Sequence, residues 1–252
     1  MRFKDKIAII TGCSSGVGRE TARLMAAEGA VVYAVARRAN RLEELKDSVA
    51  AAGAPGAIIP CAADLMAEGA ILDLFAKVKD EQGRLDILIN NAGALDGMYP
   101  VGETDDETYE WVMGLNVTVP FKTMREAVKM MGKGSAIVNV SSIGGLMGGK
   151  AGAAYTASKH ALNGLTKNTA IMYDAQGIRT NAVAPGGIQT EMIENLGEMS
   201  PHGLEVIGRG QSVSKMSATA EEIAKCILFL ASDDASNVNG QILVSDGGLT
   251  TV

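Results

Sequence analysis

A phenol and an ammonium stand four residues apart at Tyr155 and Lys159, and a hydroxyl, Ser142, closes an apolar run thirteen residues before the tyrosine. On a helix that spacing sets both side chains on one face. A free phenol keeps its proton up to a pH of about 10, and a neighbouring cation lowers that value by favouring phenolate. The pair is therefore equipped for proton transfer near neutral pH. Taken alone, a Tyr-x-x-x-Lys pair reads as readily as a half-buried tyrosine beside a snorkelling lysine, so its surroundings decide.

The strongest of those surroundings is Thr11-Gly12-Cys13-Ser14-Ser15-Gly16-Val17-Gly18, directly after the first apolar run and at the start of a helical pattern. Glycines permit a tight strand-to-helix turn and close backbone approach, and a helix N-terminus offers free N–H groups and a positive dipole end to a pyrophosphate. Gly12, Ser14, Ser15, Gly16, Val17 and Gly18 are the expected contacts. After the second apolar run, where a ribose-binding carboxylate would signal NAD, the chain has Ala36-Arg37-Arg38. With no acid to repel a 2′-phosphate and a guanidinium able to grip one, NADP(H) is expected ahead of NAD(H), which stays possible; the same arginines also suit the opening of a solvated helix. Asp64, with Leu65 beside it, reads either as an acceptor for the adenine amino group or as a cap of the following helix. Asn90-Asn91-Ala92-Gly93 closes the fourth strand with a polar turn on the adenosine side.

Together these residues closely resemble the short-chain dehydrogenase/reductase family over essentially the whole chain. The matches run in order through Thr11 to Gly18, Asp64, Asn90 to Gly93, Asn116 within Leu115-Asn116-Val117, Ser142, Tyr155 with Lys159, and Pro185-Gly186. The resemblance implies that Tyr155 is the general acid in carbonyl reduction and the base in alcohol oxidation. It further implies that Lys159 holds the nicotinamide ribose and depresses the tyrosine pKa, that Ser142 rather than Ser141 binds the substrate oxygen, and that Asn116 positions a water. Pro185 and Gly186 resemble the start of the family's nicotinamide-holding turn, which would bring the Ile188 backbone and Thr190 to the carboxamide. A homotetramer built on the long helices near 105–131 and 153–175 and the C-terminal strand is likewise implied.

The elements that must position these groups follow from periodicity. Short β-branched runs at 6–11, 31–36, 57–61, 86–90, 135–141, 178–184 and 241–245 alternate with helical patterns near 17–28, 39–52, 67–82, 105–131, 153–175 and 219–231. That alternation predicts an α/β fold: a Rossmann-like, doubly wound parallel sheet of about seven strands with helices on both faces. Residues 1–252 are expected to form one domain. Residues 186–218 carry no sustained period and read as a lid over the substrate. Met192, Ile193, Leu196 and Met199 in the lid, with Leu146 and Met147 near Ser142, would give a flexible apolar wall for a hydroxysteroid-like or other alicyclic substrate. The competing readings are a 3-oxoacyl-thioester reductase, for which no basic carrier-docking patch is visible, and a dinucleotide-binding sensor, which would not need the proton-transfer residues.

A net charge of −6 without a lysine- and arginine-rich run gives no footprint for nucleic acid or an anionic membrane, leaving small molecules as partners. The three cysteines, Cys13, Cys61 and Cys226, match neither a disulfide framework nor metal-ligand spacing. With no targeting segment or span in view, the cytoplasm is the expected compartment. Cys13 within the glycine loop is expected to be small filler, open to oxidants only if the loop admits solvent. His160, one position off the active face, and His202 are expected to have no chemical role.

Overall fold

The computed structural model describes residues 1–188, 191, 197–211 and 217–251. Seven strands, β1 (Ile7–Thr11), β2 (Val31–Ala36), β3 (Ala57–Ala62), β4 (Ile87–Asn90), β5 (Ala136–Val140), β6 (Arg179–Pro185) and β7 (Ile242–Ser245), form one parallel sheet in the order β3-β2-β1-β4-β5-β6-β7. The expected Rossmann-like architecture is the one observed. Every residue of β1, β4 and β5 is buried, as a strand covered on both faces requires.

Alternate residues feed two cores. Ile10, Val32, Ala34, Val138 and Val183 pack with Met25 of α1 (Gly16–Ala27), Leu42 of α2 (Ala39–Ala51) and, nearer the C-terminus, Ile223 and Ile227. Their neighbours Ile9, Tyr33, Leu88 and Ile137 face the other way, onto Leu74 and Phe75 of α3 (Ala70–Gln82) and Met124. Each fully buried aliphatic side chain contributes about 1.5–3 kcal/mol, so a one-residue slip of register would be costly across the whole sheet.

Two stretches differ from the sequence expectation. The pattern over 105–131 is not one helix but α4 (Asp106–Met113), a π-helical turn at Gly114–Thr118, and α5 (Val119–Ala127). The wide turn places Asn116 in the interior, fully buried. The aperiodic stretch 186–218 holds a helix, after α6 (Ala153–Met172), at Pro201–Gln211 (α7), which Gly203, Gly208 and Gly210 conceal from propensity-based reading. The last helix, α8 (Ala220–Ala231), has a reciprocal cap: Thr219 Oγ accepts from the Glu222 N–H, and the Glu222 carboxylate accepts from the Thr219 N–H.

The strand order reverses between β1 and β4, and the crevice beyond the carboxyl ends of the strands at such a reversal is where this architecture receives ligands.

Candidate active site

A cleft of roughly 750 Å³ opens at that reversal, lined by Gly12 and Ser14 to Val17, by Arg37 and Arg38, by Asp64 and Leu65, by Asn91 to Gly93, by Ser141, Ser142, Tyr155 and Lys159, and by Pro185, Gly186 and Ile188. The glycine loop is braced from β4. Thr11 Oγ accepts the N–H groups of Asn91 and Ala92, both at 2.9 Å, and Asn91 Nδ2 donates to Thr11 O at 2.9 Å. A Cβ on Gly12, which sits at φ +76°, would come within 2.6 Å of Asn91 Nδ2, so the close approach needs glycine. Asn91 thus holds the loop itself. Its neighbour Asn90 points away, into a buried network with Asn139, Thr123 and Thr166 that joins β4 and β5 to α5 and α6.

The N-terminus of α1 begins at Gly16, and Ser15 in the capping position makes no side-chain cap. Its free N–H groups and dipole end suit a pyrophosphate. Arg38 leans over the same loop: Nη2 donates to Ser14 Oγ at 2.9 Å and Ser15 Oγ at 3.1 Å, and Nη1 lies 3.2 Å from Glu191. Arg37 is exposed beside it. Asp64 does not cap α3, whose N-cap is Gly69; its Oδ1 accepts the Met66 N–H at 3.0 Å in a local turn. Cys13 is fully buried and burial pushes its thiol up to about 12, so it fills space and is shielded from oxidants.

At the other end of the cleft, β5 delivers Ser142 and α6 delivers Tyr155 and Lys159. The Ser142 and Tyr155 hydroxyls line the same cleft, and the serine side chain favours the ionised phenol. Ser142 Oγ also accepts the Gly144 N–H at 3.1 Å. Lys159 is 4% exposed; its Nζ donates to Val140 O at 2.9 Å and lies 5.4 Å from the Tyr155 ring centre. That carbonyl is its one protein acceptor among the described residues, and the remaining ammonium hydrogens suit a ligand's hydroxyls. Gly93 separates Lys159 from Asn116: a Cβ there would stand 3.6 Å from Lys159 Nζ and 3.2 Å from Asn116 Oδ1. Asn116 clasps both backbone groups of Ala94 at 2.8 and 2.9 Å and donates to Ser158 Oγ at 3.0 Å.

The electrostatics differ from the sequence expectation. Burial pushes the Tyr155 phenol up to about 12; the Ser142 hydroxyl draws it back in part, and the Asp96 carboxylate raises it further. Lys159 does not bring it down, because the ammonium lies over the ring and is itself drawn to about 8 by burial.

Ser141 follows β5 with its N–H donating to Val183 O at 2.7 Å, and its Oγ is buried without a partner. Leu146 and Met147 are exposed just beyond Ser142 rather than in the wall of the cleft, and Met199 is half-buried. Thr190, Met192, Ile193 and Leu196 lie outside the described residues. His160 is exposed, its ring bonded to Thr156 O at 2.9 Å. Sequence reasoning missed Thr11 and Asp96; an Asp-Gly pair after the Asn-Asn-Ala-Gly turn was the available signal for the second. Among the described residues no group of His, Cys, Asp and Glu could hold a metal ion, and no helix is long and apolar enough to cross a membrane.

A family model described as enoyl-(acyl carrier protein) reductase matches residues 12–250. A 3beta-hydroxysteroid dehydrogenase of Mediterraneibacter gnavus is 38% identical, over 99% of this chain and 96% of its own length. The chain belongs to the short-chain dehydrogenase/reductase family. Another member similar to it is the 3-oxoacyl-(acyl-carrier-protein) reductase FabG of Thermotoga maritima, 37% identical over 99% of both chains. Among solved structures, levodione reductase superposes with a TM-score of 0.88 at 33% identity, covering 100% of each chain. This short-chain dehydrogenase/reductase is therefore an oxidoreductase acting on CH–OH groups, in a family that uses NAD(P). The glycine cradle, the uncapped start of α1 and the buried Lys159 ammonium fit such a dinucleotide.

Proposed function

We propose that this chain is an NADP(H)-dependent enzyme that interconverts a secondary alcohol and a ketone on a largely apolar, hydroxysteroid-like substrate. The observation that carries the chemistry is the convergence of Ser142, Tyr155 and Lys159 at one end of a glycine-floored cleft. When bound, the dinucleotide supplies or accepts a hydride. Ser142 orients the substrate oxygen, Tyr155 gives it a proton in reduction and takes one in oxidation, and Lys159 holds the nicotinamide ribose. Asn116, locked between Ala94 and Ser158, fixes the turn behind them and positions a water.

The high phenol value favours the proton-donating role at neutral pH. Reduction of a ketone is expected to hold steady across neutral pH and fall at alkaline pH, while alcohol oxidation, which needs the base form, rises with pH by up to about tenfold per unit. Profiles of kcat/KM in both directions test this, and a reduction rate that climbs with pH contradicts it.

Support for NADP(H) is the Arg38 guanidinium, held over the loop by Ser14 and Ser15 with Arg37 alongside and no acid at Ala36. The Arg37→Ala/Arg38→Ala double variant should lose about 10- to 100-fold in kcat/KM for NADPH while NADH changes little. An equal loss with both cofactors refutes the preference.

The apolar substrate rests on exposed Leu146 and Met147 beyond Ser142 and on the similarity to hydroxysteroid and levodione enzymes. The similarity to FabG supports a second reading, a 3-oxoacyl-thioester reductase. A panel of hydroxysteroids, cyclic ketones, acyl thioesters and polyols with NADPH or NADP separates these, and activity on polyols alone sinks both. The single sheet supports one domain with the lid at 186–218. A shallow apolar groove at Phe121, Ala161, Gly164 and Leu165 on α5 and α6 supports a homotetramer, and the unpaired cysteines support a cytoplasmic home.

A further inference from the structure

The loop that follows β4 carries a carboxylate to the first turn of the helix that bears Tyr155. Asp96 is 1% exposed, and its Oδ2 accepts the backbone N–H of Tyr155 at 2.8 Å. Tyr155 is the third residue of α6, where the N–H has no partner inside the helix. The usual local solution is absent, since the N-cap is Gly152 and makes no side-chain cap. A residue 59 positions earlier does the capping instead.

Gly152 makes room for it. A Cβ there would lie 2.3 Å from Asp96 Oδ1 and 2.5 Å from its Cγ and Oδ2. The Gly152 backbone, at φ −71° and ψ 175°, suits any residue, so the missing side chain serves the carboxylate and not the turn. The loop is firmly shaped on both sides of this contact. Gly97 and Met98 both adopt positive φ, at 64° and 61°, which a residue such as methionine keeps only where its surroundings hold it. Tyr99 O accepts the Ala153 N–H at 2.8 Å, a second first-turn donor of α6 satisfied from the same loop. On its other edge, Gly97 O accepts the Ser200 N–H at 3.0 Å and Tyr99 Oη donates to Glu198 O at 2.9 Å. Gly203 of α7 packs so closely that a Cβ there would overlap Met98 O.

We propose that Asp96 is a positioning residue for Tyr155: its carboxylate sets the first turn of α6, and with it the phenol, relative to Ser142, and residues 96–99 tie that placement to the start of α7. The inference rests on Tyr155 being the proton donor. Asp96 does not line the cleft; its effect on turnover passes through the first turn of the helix and through its charge on the phenol. Its second oxygen, Oδ1, is buried without a partner, so the carboxylate is retained at a cost that a purely structural cap would avoid.

A double-mutant cycle on the full chain tests this, with Asp96→Ala, Gly152→Ala, the double variant and Asp96→Asn, each normalised to sites titrated with the dinucleotide. Asp96→Ala should lower kcat by about 10- to 100-fold, the scale of a misplaced catalytic group, with the dinucleotide KM changed by less than about twofold. Gly152→Ala should act alike by displacing the carboxylate, and the double variant should be no worse than Asp96→Ala within about twofold, because one contact is lost in both. Asp96→Asn, whose amide oxygen can still accept the Tyr155 N–H, should keep kcat within about tenfold of wild type. Wild-type kcat in Asp96→Ala, or independent multiplication of the two single effects, overturns the proposal. Where Asp96→Ala does not fold, Gly152→Ala decides: it keeps the carboxylate in the chain and only displaces it, and wild-type kcat there also overturns the proposal. Tyr155→Phe runs alongside as the reference. Full turnover in that variant overturns the reading of Tyr155 and this inference together, whereas an inactive Tyr155→Phe with a fully active Asp96→Ala overturns this inference alone.

Discussion

Tyr155→Phe is expected to lower kcat in both directions by about 10²- to 10⁴-fold, the usual contribution of a positioned acid or base, while dinucleotide affinity stays within a few-fold of wild type. The ring keeps its place on α6, and the loss is confined to the hydroxyl. Ser142 remains anchored, because its Oγ still accepts the Gly144 N–H. Removal of one hydroxyl changes stability by about 1 kcal/mol at most, so the thermal midpoint should move only slightly. Steady-state kinetics together with a fluorescence titration of the dinucleotide separate the two quantities. A variant that binds the cofactor normally and turns over normally would remove the phenol from the chemistry.

The second large effect is of opposite sign in activity and stability. Lys159→Met should reduce kcat/KM by about 10²-fold or more, because the cation proposed to orient the nicotinamide ribose is gone. The same change should stabilise the fold at neutral pH. The ammonium is buried with Val140 O as its one hydrogen-bond acceptor among the described residues, and burial draws it to about 8 from an ordinary 10.5. Methionine fills similar volume without a charge. After Val140 O loses its partner, a net gain of about 1–2 kcal/mol remains, worth about 2–4 °C in thermal midpoint per kcal/mol for a chain of this size. Linkage fixes the pH dependence. Between about 8 and 10.5 the unfolded wild type binds more protons at this site than the folded form, so wild-type stability rises with pH across that window. The advantage of the variant should therefore be largest below pH 8 and shrink above it. Thermal denaturation at several pH values checks this, and a variant that is less stable than wild type at pH 7 contradicts it. A variant more stable than wild type would mean that function maintains a destabilising group in the core.

The strands were legible to within about a residue because β-branched runs such as Val31 to Val35 and Ile137 to Val140 are bounded by glycine and polar turns. The glycine loop was legible for the same kind of reason: its position after β1 and before α1 gave the glycines a meaning that composition alone lacks. What stayed hidden depends on the third dimension. Apolar spacing continues unbroken through Gly114–Thr118, so nothing in the period announces the π-helical turn that buries Asn116. Three glycines masked α7, whose first turn is held instead by Ser200 and the loop at Met98. Nothing in the sequence around Asp96 shows that folding brings it under Tyr155, 59 residues later. The phenol's pKa was misjudged in sign because sequence shows the lysine four residues away but not the burial that outweighs it.

The most direct test of hydride transfer uses NADPH carrying deuterium at the transferable position of the nicotinamide, a hydroxysteroid-type ketone as substrate, and mass spectrometry of the product. Deuterium should appear on the new carbinol carbon, on one face only, with the hydroxyl proton drawn from solvent by way of Tyr155. Product lacking the label at that carbon, or label lost to water, would contradict direct transfer across the cleft between Arg38 and Tyr155.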